Sequence, residues 1–312
     1  MLWPMTKTYK QLEIIVATKD RPDHIARMLE SLSNSTKIPA KIFIVYYGSI
    51  LESQLLLSNP LLNLQFIQSQ IASQIFQKKL GLKALSEDCK WVLFLDDDVV
   101  IETNTLEKLF ELYLKNNTLS NYAGFGLAIK NRAMQNRNAF VNFFLYLVKL
   151  FSYKPGHITI GGHPQTYLDQ KLDCEVQWLN GISLWQKKFI KSYFNLPDLT
   201  NYAAYEDVMF SYSVSRNSKL LFVSNIFVLD QEPESFKPLT IDQFISACYA
   251  RYFFVGSYSQ MSKFWLIVGQ IVRSVNFIVE SKSQRTYIYR IYLAHKLLYN
   301  ITITKQNYIS GY

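Results

Sequence analysis

Three adjacent carboxylates, Asp96, Asp97 and Asp98, are the clearest chemical feature of the sequence. They follow the apolar run Val92–Leu95, which predicts a short strand buried in a parallel sheet. In open α/β sheets, ligands bind just beyond the carboxyl ends of the strands. Acidic oxygens at such an edge suit a hard divalent cation. A solvated loop after a core strand would also explain the cluster, so the rest of the chain has to decide.

The elements around this cluster alternate between strands and helices. The sequence predicts strands at 12–17, 40–48, 62–68 and 90–96, and helices at 21–34, 73–87 and 105–116. Such alternation predicts a parallel sheet whose connections are right-handed crossovers. There is no GxGxxG and no GxxxxGK[ST], which excludes a dinucleotide fingerprint and a P-loop.

The pattern is less regular after residue 120, where glycines punctuate the chain. Three further elements are expected. The first is a strand followed by a turn and a basic segment at 174–190, and the second is a helix at 205–219. The third lies within 220–235 and is a strand that ends at Asp230.

Composition limits the possible partners. The 312 residues, 49% of them hydrophobic, are enough for one large domain or two small ones. The formal charge of +9 indicates a polyanionic partner, namely nucleic acid, an anionic membrane or a phosphorylated substrate. The three cysteines lie far apart without zinc spacing, which argues against a disulfide framework and fits a reducing compartment.

Two features bear on membranes. No signal peptide is visible, and the apolar runs 139–151 and 264–279 are interrupted well short of the ~20 residues that a spanning helix needs. Residues 240–312 carry four lysines and four arginines against two acidic residues, which is +6 of the total charge. Basic residues among aromatic ones suit the interface of an anionic membrane, although a helical cap with a solvated basic face has the same composition. We therefore expect a cytoplasmic protein, peripheral on the inner face of the membrane.

In order along the chain, the segments IIVATKDRPDHIARMLESL, FIVYYGS, FLDDDV, WLNGISLWQKKFI and YEDVMFSYSV resemble family 2 of the inverting nucleotide-sugar glycosyltransferases. The resemblance implies the GT-A fold, a Rossmann-like, mostly parallel sheet flanked by helices. It implies a GT-A domain at 1–239, with a nucleotide-sugar-binding half at 1–120 and an acceptor-binding half at 121–239. A helical, basic and aromatic extension would follow at 240–312.

The resemblance implies that the acidic triplet holds the donor and its metal. Asp96 would face the ribose or the sugar, and Asp98 would ligate Mn²⁺ or Mg²⁺. Asp97 would either orient these two side chains or be a solvated neighbour. Asp230 stands where many members have a histidine that completes the metal shell, although a simple strand-end acid fits equally well. A metal that bridges the pyrophosphate makes the nucleoside diphosphate a better leaving group.

Four more residues are expected at the nucleotide. Thr18 and Arg21 match the family's nucleotide-binding loop, unless Arg21 is only an exposed charge at a helix start. Lys78 lies in QKKLG, which resembles the family's Q-R-N-x-G segment, with a surface lysine as the alternative. Tyr46 and Tyr47 replace acidic residues that contact the base in the family, so Tyr47 is expected to stack on the base. Uridine, thymidine and guanosine diphospho-sugars all remain open.

On the acceptor side the resemblance assigns catalysis to Glu206 and Asp207. An inverting transfer needs one carboxylate to take the proton of the acceptor hydroxyl as it attacks the anomeric carbon. We expect Asp207 to be this base and Glu206 to position the acceptor or cap the helix, although both would also favour a helix start electrostatically. The WLNG segment implies acceptor contacts from Trp178, Asn180 and Gly181, with a core position as the alternative for Trp178.

The sequence thus predicts a metal-dependent glycosyltransferase that uses a nucleotide-diphospho-sugar donor and a glycan or lipid-linked acceptor of the cell envelope. A basic, aromatic chain could instead bind single-stranded nucleic acid. No RNP, KH or zinc element is visible, and acidic strand ends argue against it, so we expect no nucleic-acid partner. A catalytically inactive module on the same fold should lack Asp98 or Asp207, and both are present.

Overall fold

One mixed sheet carries the part of the chain that the computed structural model describes, residues 7–115, 121–130, 139–147, 150–197, 204–231 and 241–280. Its strands are β1 (Lys7–Lys19), β2 (Lys37–Tyr47), β3 (Leu64–Gln68), β4 (Trp91–Asp96), β5 (Val99–Ile101), β6 (Tyr122–Ile129), β7 (Cys174–Val176), β8 (Ser183–Gln186) and β9 (Lys219–Asp230). The helices are α1 (Pro22–Ser33), α2 (Glu52–Ser58), α3 (Gln74–Lys83), α4 (Thr105–Lys115), α5 (Ala139–Leu147), α6 (Glu206–Ser215), α7 (Ile241–Gly256) and α8 (Lys263–Glu280). A 3₁₀ helix spans Lys187–Asn195.

The strand order is β3-β2-β1-β4-β8-β6-β9-β5, and β7 pairs with β9. Strands β1 to β4 are parallel to one another, and β6 is parallel to β9. Strand β8 runs antiparallel to both β4 and β6, and β5 and β7 run antiparallel to β9. The predicted α/β class, a mostly parallel sheet flanked by helices, is confirmed. Because β5 crosses to the far edge beside β9, the two predicted halves of the first domain contribute to one continuous sheet.

Strand β4 explains why three carboxylates can follow an apolar run. Its side chains alternate between the two hydrophobic clusters on the opposite faces of the sheet, and all five residues before Asp96 are buried. A strand that is covered by helices on both faces has a continuously apolar sequence, because side chains on both sides are buried. Exposure begins at Asp96, so the carboxylates start where the strand leaves the core.

Helix α3 approaches the sheet closely because of a glycine. A Cβ atom on Gly81 would come within 2.8 Å of the Cγ2 atom of Ile15 on β1. The N-terminus of α3 is capped by Ser73, whose hydroxyl accepts a hydrogen bond from the backbone of Phe76. Lys78 lies one helical turn before Gly81, on the same face. The close contact therefore carries this lysine inside the protein.

The helices α7 and α8 pack on the same core through one face each. Ala250, Phe254 and Leu266 are buried in the hydrophobic cluster that also contains residues of the sheet. No helix within the described residues is long and apolar enough to cross a membrane. Residues 240 and 281–312 of the predicted basic and aromatic extension lie outside the described residues.

Candidate active site

The carboxyl ends of the parallel strands bring the predicted donor residues to one edge of the sheet. Lys19 of β1 pairs with Tyr47 of β2, and Ala17 of β1 pairs with Asp96 of β4. The turn before β8 reaches the same edge, since a Cβ atom on Gly181 would lie 2.9 Å from the Oδ2 atom of Asp96. Gly181 thus leaves room for the carboxylate of Asp96.

Asp97 points into the protein and fastens the acidic triplet to β1 and the start of α1. It is 8% exposed. Its carboxylate accepts hydrogen bonds from the Thr18 hydroxyl at 2.7 Å and from Arg21 at 2.9 Å. The alternative of a solvated neighbour is therefore excluded for Asp97. Arg21, which is about half exposed, also reaches Asp98 at 3.3 Å.

Asp98 lies among other acidic groups. Burial raises its pKa, and the charges of Asp96 and Asp230 raise it further, while Arg21 counteracts them. Asp98 thus lies close enough to Asp96 and to Asp230 for both to repel it, and a divalent cation would relieve that repulsion. No set of three or more acidic, histidine or cysteine side chains within the described ranges could hold a metal alone. Two carboxylates with phosphates and water are nevertheless the usual set for Mg²⁺, so the residues fit a metal bound together with the donor.

Two glutamines that the sequence analysis missed hold this edge together. Gln77 of α3 donates to the backbone carbonyls of Thr18 at 2.7 Å and Val45 at 2.8 Å, and so joins β1 to β2. Gln231 donates to the carbonyl of Val99 at 3.3 Å. Gln77 stands in the QKKLG segment and could have been found from it, whereas Gln231 has no signal beyond its place after a strand.

A buried ion pair joins α3 to α6. The Nζ atom of Lys78 lies 3.3 and 3.2 Å from the two carboxylate oxygens of Glu206, and both residues are nearly inaccessible. The hydroxyl of Tyr193 donates to the same carboxylate at 2.6 Å. Lys78 also lies 5.0 Å from the ring centroid of Phe94. The alternative of a surface lysine is therefore wrong, and in the structure Lys78 is bound to Glu206 instead of lying open to a nucleotide as expected. Glu206 faces the interior rather than an open pocket.

This pair keeps its charges inside the core. Burial by itself would lower the pKa of Lys78, but the charge and hydrogen bond of Glu206 and the charges of Asp96 and Asp207 together outweigh it, so the pKa is raised and the lysine stays protonated. Burial and then the charge of Glu206 raise the pKa of Tyr193 well above its usual value, so its hydroxyl remains a donor. With both donors in place, the carboxylate of Glu206 has the partners that a buried charge requires.

Asp207 stands next to this pair and remains partly accessible. Burial, followed by the charge of Glu206, raises its pKa to about 7, and Asp96 adds to the shift while Lys78 opposes it. One of its oxygens accepts a hydrogen bond from the backbone of Val208 at 2.8 Å. A carboxyl group with a pKa near neutrality is suited to accept a proton in catalysis. The charge of Asp96 reaches it, so the donor and acceptor sides of the predicted site are adjacent.

The remaining predicted residues lie around this edge. Tyr47 is partly exposed, with the Lys19 ammonium 5.7 Å from its ring centroid. Trp178 packs edge-on against Tyr167 with 4.9 Å between the ring centroids, and its indole donates to the carbonyl of Gln165 at 3.0 Å. Asn180 is buried and its backbone N–H donates to the Tyr167 hydroxyl at 2.6 Å. Trp178 and Asn180 of the WLNG segment therefore hold the turn before β8 in place.

Comparisons with known proteins agree with this geometry. The model of glycosyl transferase family 2 matches residues 13–173, slightly more than half of the chain. No curated protein matches the sequence at a significant level. The structure resembles residues 1–349 of TarS from S. aureus in complex with UDP-GlcNAc, with a TM-score of 0.50 and 15% identity over 96% of this chain and 74% of that one. It also resembles the mannosyltransferase PcManGT from Pyrobaculum calidifontis in complex with GDP-Man and Mn²⁺, with a TM-score of 0.50 and 9% identity over 95% and 88% of the two chains. At such identities the likeness concerns the fold.

The buried pair leads to a prediction about stability. Lys78→Met leaves the Glu206 carboxylate buried without its counter-charge, so the free energy of unfolding should fall by about 3–5 kcal/mol. The double variant Lys78→Met/Glu206→Gln removes both charges, so its free energy of unfolding should fall by less than that of Lys78→Met. Urea unfolding followed by circular dichroism measures both changes.

The matched control is Lys219→Met, which breaks an exposed ion pair with Glu175. Its stability should stay close to that of the wild type, since exposed ion pairs contribute little. Equal stabilities of Lys78→Met and Lys219→Met would contradict a structural role for the buried pair.

Proposed function

Because the chain belongs to glycosyl transferase family 2 and has the GT-A fold, we propose that it transfers a sugar from a nucleotide-diphospho-sugar to an acceptor hydroxyl with inversion at the anomeric carbon. The observation that carries this proposal is Asp207, a partly accessible carboxyl group whose pKa lies near 7 beside the acidic triplet. The UDP-GlcNAc and GDP-Man in the two similar structures support a donor of this class.

The donor would lie along the carboxyl edge of β1, β2 and β4. Arg21 keeps about half of its side chain exposed at this edge and can reach a phosphate. Tyr47, which is partly exposed, would stack on the base, and Asp96 would accept hydrogen bonds from the ribose or the sugar. Asp97 is occupied by Thr18 and Arg21, so its contribution is to orient these two residues.

Asp98 and Asp230 would hold a Mn²⁺ or Mg²⁺ ion together with the donor phosphates. When bound, such an ion supplies positive charge that stabilises the departing nucleoside diphosphate. The repulsion that raises the pKa of Asp98 supports this assignment, because the same carboxylates attract a cation.

The proton transfer belongs to Asp207. In its ionised form it takes the proton of the acceptor hydroxyl while that oxygen attacks the anomeric carbon. The bond from the anomeric carbon to the diphosphate breaks in the same step, and its electron pair leaves with the nucleoside diphosphate. Glu206 is unsuited to this role, since Lys78 and Tyr193 already occupy its oxygens inside the protein.

We further propose that the acceptor is a lipid-linked glycan or polysaccharide precursor and that α8 rests on the cytoplasmic face of the membrane. Phe264, Ile267 and Ile271 are exposed on one side of α8, next to the exposed Lys263. Apolar side chains at this spacing, with basic residues nearby, suit the interface of an anionic bilayer. The +6 charge of residues 240–312 favours the same partner.

The first prediction of this proposal concerns the metal. Asp98→Ala should abolish the Mn²⁺-dependent binding of UDP or GDP in isothermal titration calorimetry, because the ion loses one of its two protein ligands. Asp88→Ala, at an exposed position before β4, is the matched control and should bind as the wild type does. Unchanged nucleotide affinity in Asp98→Ala would disprove the assignment of the metal.

The second prediction concerns the base. Asp207→Asn should bind donor normally but lose roughly 10²–10⁴-fold in rate, the usual effect of removing a general base. With the acceptor unidentified, hydrolysis of UDP-GlcNAc or GDP-Man reports the rate, with water in the place of the acceptor. In the wild type the rate should rise with pH through about 7, because Asp207 is protonated and inactive below its pKa.

The double variant Lys78→Met/Glu206→Gln serves as the comparison for this experiment, because it leaves no unpaired charge in the core. Glu206 raises the pKa of Asp207 more than Lys78 lowers it, so removing both charges should move the rising limb to lower pH without abolishing the reaction. Activity retained in Asp207→Asn and lost in the double variant would exchange the two roles. No activity in any form would favour an inactive module.

The third prediction concerns the membrane. The full-length protein should sediment with vesicles that contain phosphatidylglycerol and be partly released by salt, since basic residues contribute roughly 1 kcal/mol each at an anionic surface. Ile267→Asp should weaken this binding, whereas Leu57→Asp, at an exposed leucine of α2, should not. Protein that stays in the supernatant at low salt would show that α7 and α8 are only a packed cap.

A further inference from the structure

The residue directly before the two acidic residues of α6 has an unusual backbone. Tyr205 adopts the left-handed conformation, with φ 69° and ψ 7°. A residue with a Cβ atom rarely adopts this conformation, and a bulky one more rarely still. Such a conformation persists where the surroundings determine it strongly. The carbonyl of Tyr205 accepts the first hydrogen bond of α6, from the backbone of Met209 at 2.8 Å, so this residue sets the direction in which the helix begins.

The surroundings of Tyr205 come from α7. The Nε atom of Arg251 donates to the Tyr205 hydroxyl at 2.6 Å, and the guanidinium carbon lies 4.7 Å from the centroid of its ring. Arg251 is 3% exposed and also donates to the side chain of Gln270 on α8 at 3.1 Å. Phe254, one turn further along α7, lies 6.4 Å from the ring of Tyr205.

These contacts connect the C-terminal helices to the acidic pair. Burying a guanidinium is costly unless it is well paired, and packing of α7 alone would need only an apolar side chain. Arg251 directs its polar atoms to Tyr205 and Gln270 instead. The turn before Asp207 is therefore held from two sides, by Lys78 of α3 through Glu206 and by Arg251 of α7 through Tyr205.

We propose that Arg251 is a positioning residue for the transfer reaction. It fixes the left-handed turn at Tyr205 and thereby aims the carboxylate of Asp207 at the acceptor hydroxyl. The helices α7 and α8, which lie beyond the residues matched by the family model, are then a working part of the active site. This inference rests on the proposed role of Asp207 as the base.

The experiment compares Arg251→Met and Tyr205→Phe with the wild type in three measurements. Hydrogen–deuterium exchange of the peptide that contains Val208 and Met209 reports the turn without requiring activity. We expect its exchange to accelerate about tenfold in both variants, because the start of α6 opens more often. Donor hydrolysis should slow by about 10- to 100-fold, as expected when a reacting group is misplaced. The affinity for UDP or GDP should stay within about twofold, since the donor residues lie on other elements.

The matched control is Phe253→Leu, a substitution at a partly exposed position of α7 next to Arg251. It should leave all three measurements unchanged. If Arg251 served only to pack α7, Arg251→Met would lower the melting temperature, while Tyr205→Phe would match the control in exchange and in hydrolysis rate per folded molecule. That result would overturn the proposal.

The outcomes also separate this inference from the proposed function. A wild type that hydrolyses no donor, together with unchanged exchange in the variants, would contradict both. A wild type without hydrolysis whose variants exchange faster would contradict the function while showing that Arg251 holds the turn. An active wild type whose variants keep its rate and exchange would contradict the role of Arg251 alone.

Discussion

The buried ion pair between Lys78 and Glu206 is the interaction on which the site depends. It connects α3, which lies on the predicted nucleotide side of the site, to α6, which carries the predicted base. Neither charge could remain in the core without the other, because an unpaired buried charge costs several kcal/mol. The pair therefore fixes the distance between the two sides of the site. It also contributes to the electrostatics of Asp207, whose pKa is raised first by burial and then by the carboxylate of Glu206, and lowered by the ammonium of Lys78.

The acidic edge of the sheet shows a second constraint. Asp98 is repelled by Asp96 and by Asp230, and Asp97 is bound by Thr18 and Arg21. A protein selected only for stability would avoid such a cluster, since like charges at short range destabilise the folded state. Its presence at the carboxyl ends of strands is explained if the site must bind a cation, which in turn attracts a diphosphate. Strain and repulsion are typically concentrated at functional sites in this way.

Much of the fold could be predicted from the sequence, because strands buried on both faces and amphipathic helices leave strong periodic patterns. The run before Asp96 and the helix that starts at Pro22 are examples. The small strand β5 was missed, because three residues carry no readable period. The environment of Lys78 could not be predicted from the sequence either, since its partner Glu206 lies 128 residues later in the chain. Tyr193, Tyr205 and Arg251 matter through contacts of the same long-range kind, and their local sequence gives no sign of them.

The central claim is that burial, together with the neighbouring carboxylate of Glu206, leaves Asp207 as a carboxyl group with a pKa near neutrality. Carbon-13 NMR of labelled aspartate tests it most directly, with the Asp207 signal identified by its absence in Asp207→Asn. The account predicts that this signal titrates with a midpoint near pH 7, and that the midpoint falls in Lys78→Met/Glu206→Gln, where both buried charges are removed together. A midpoint near the ordinary aspartate value of 3.8 in the wild type would contradict it.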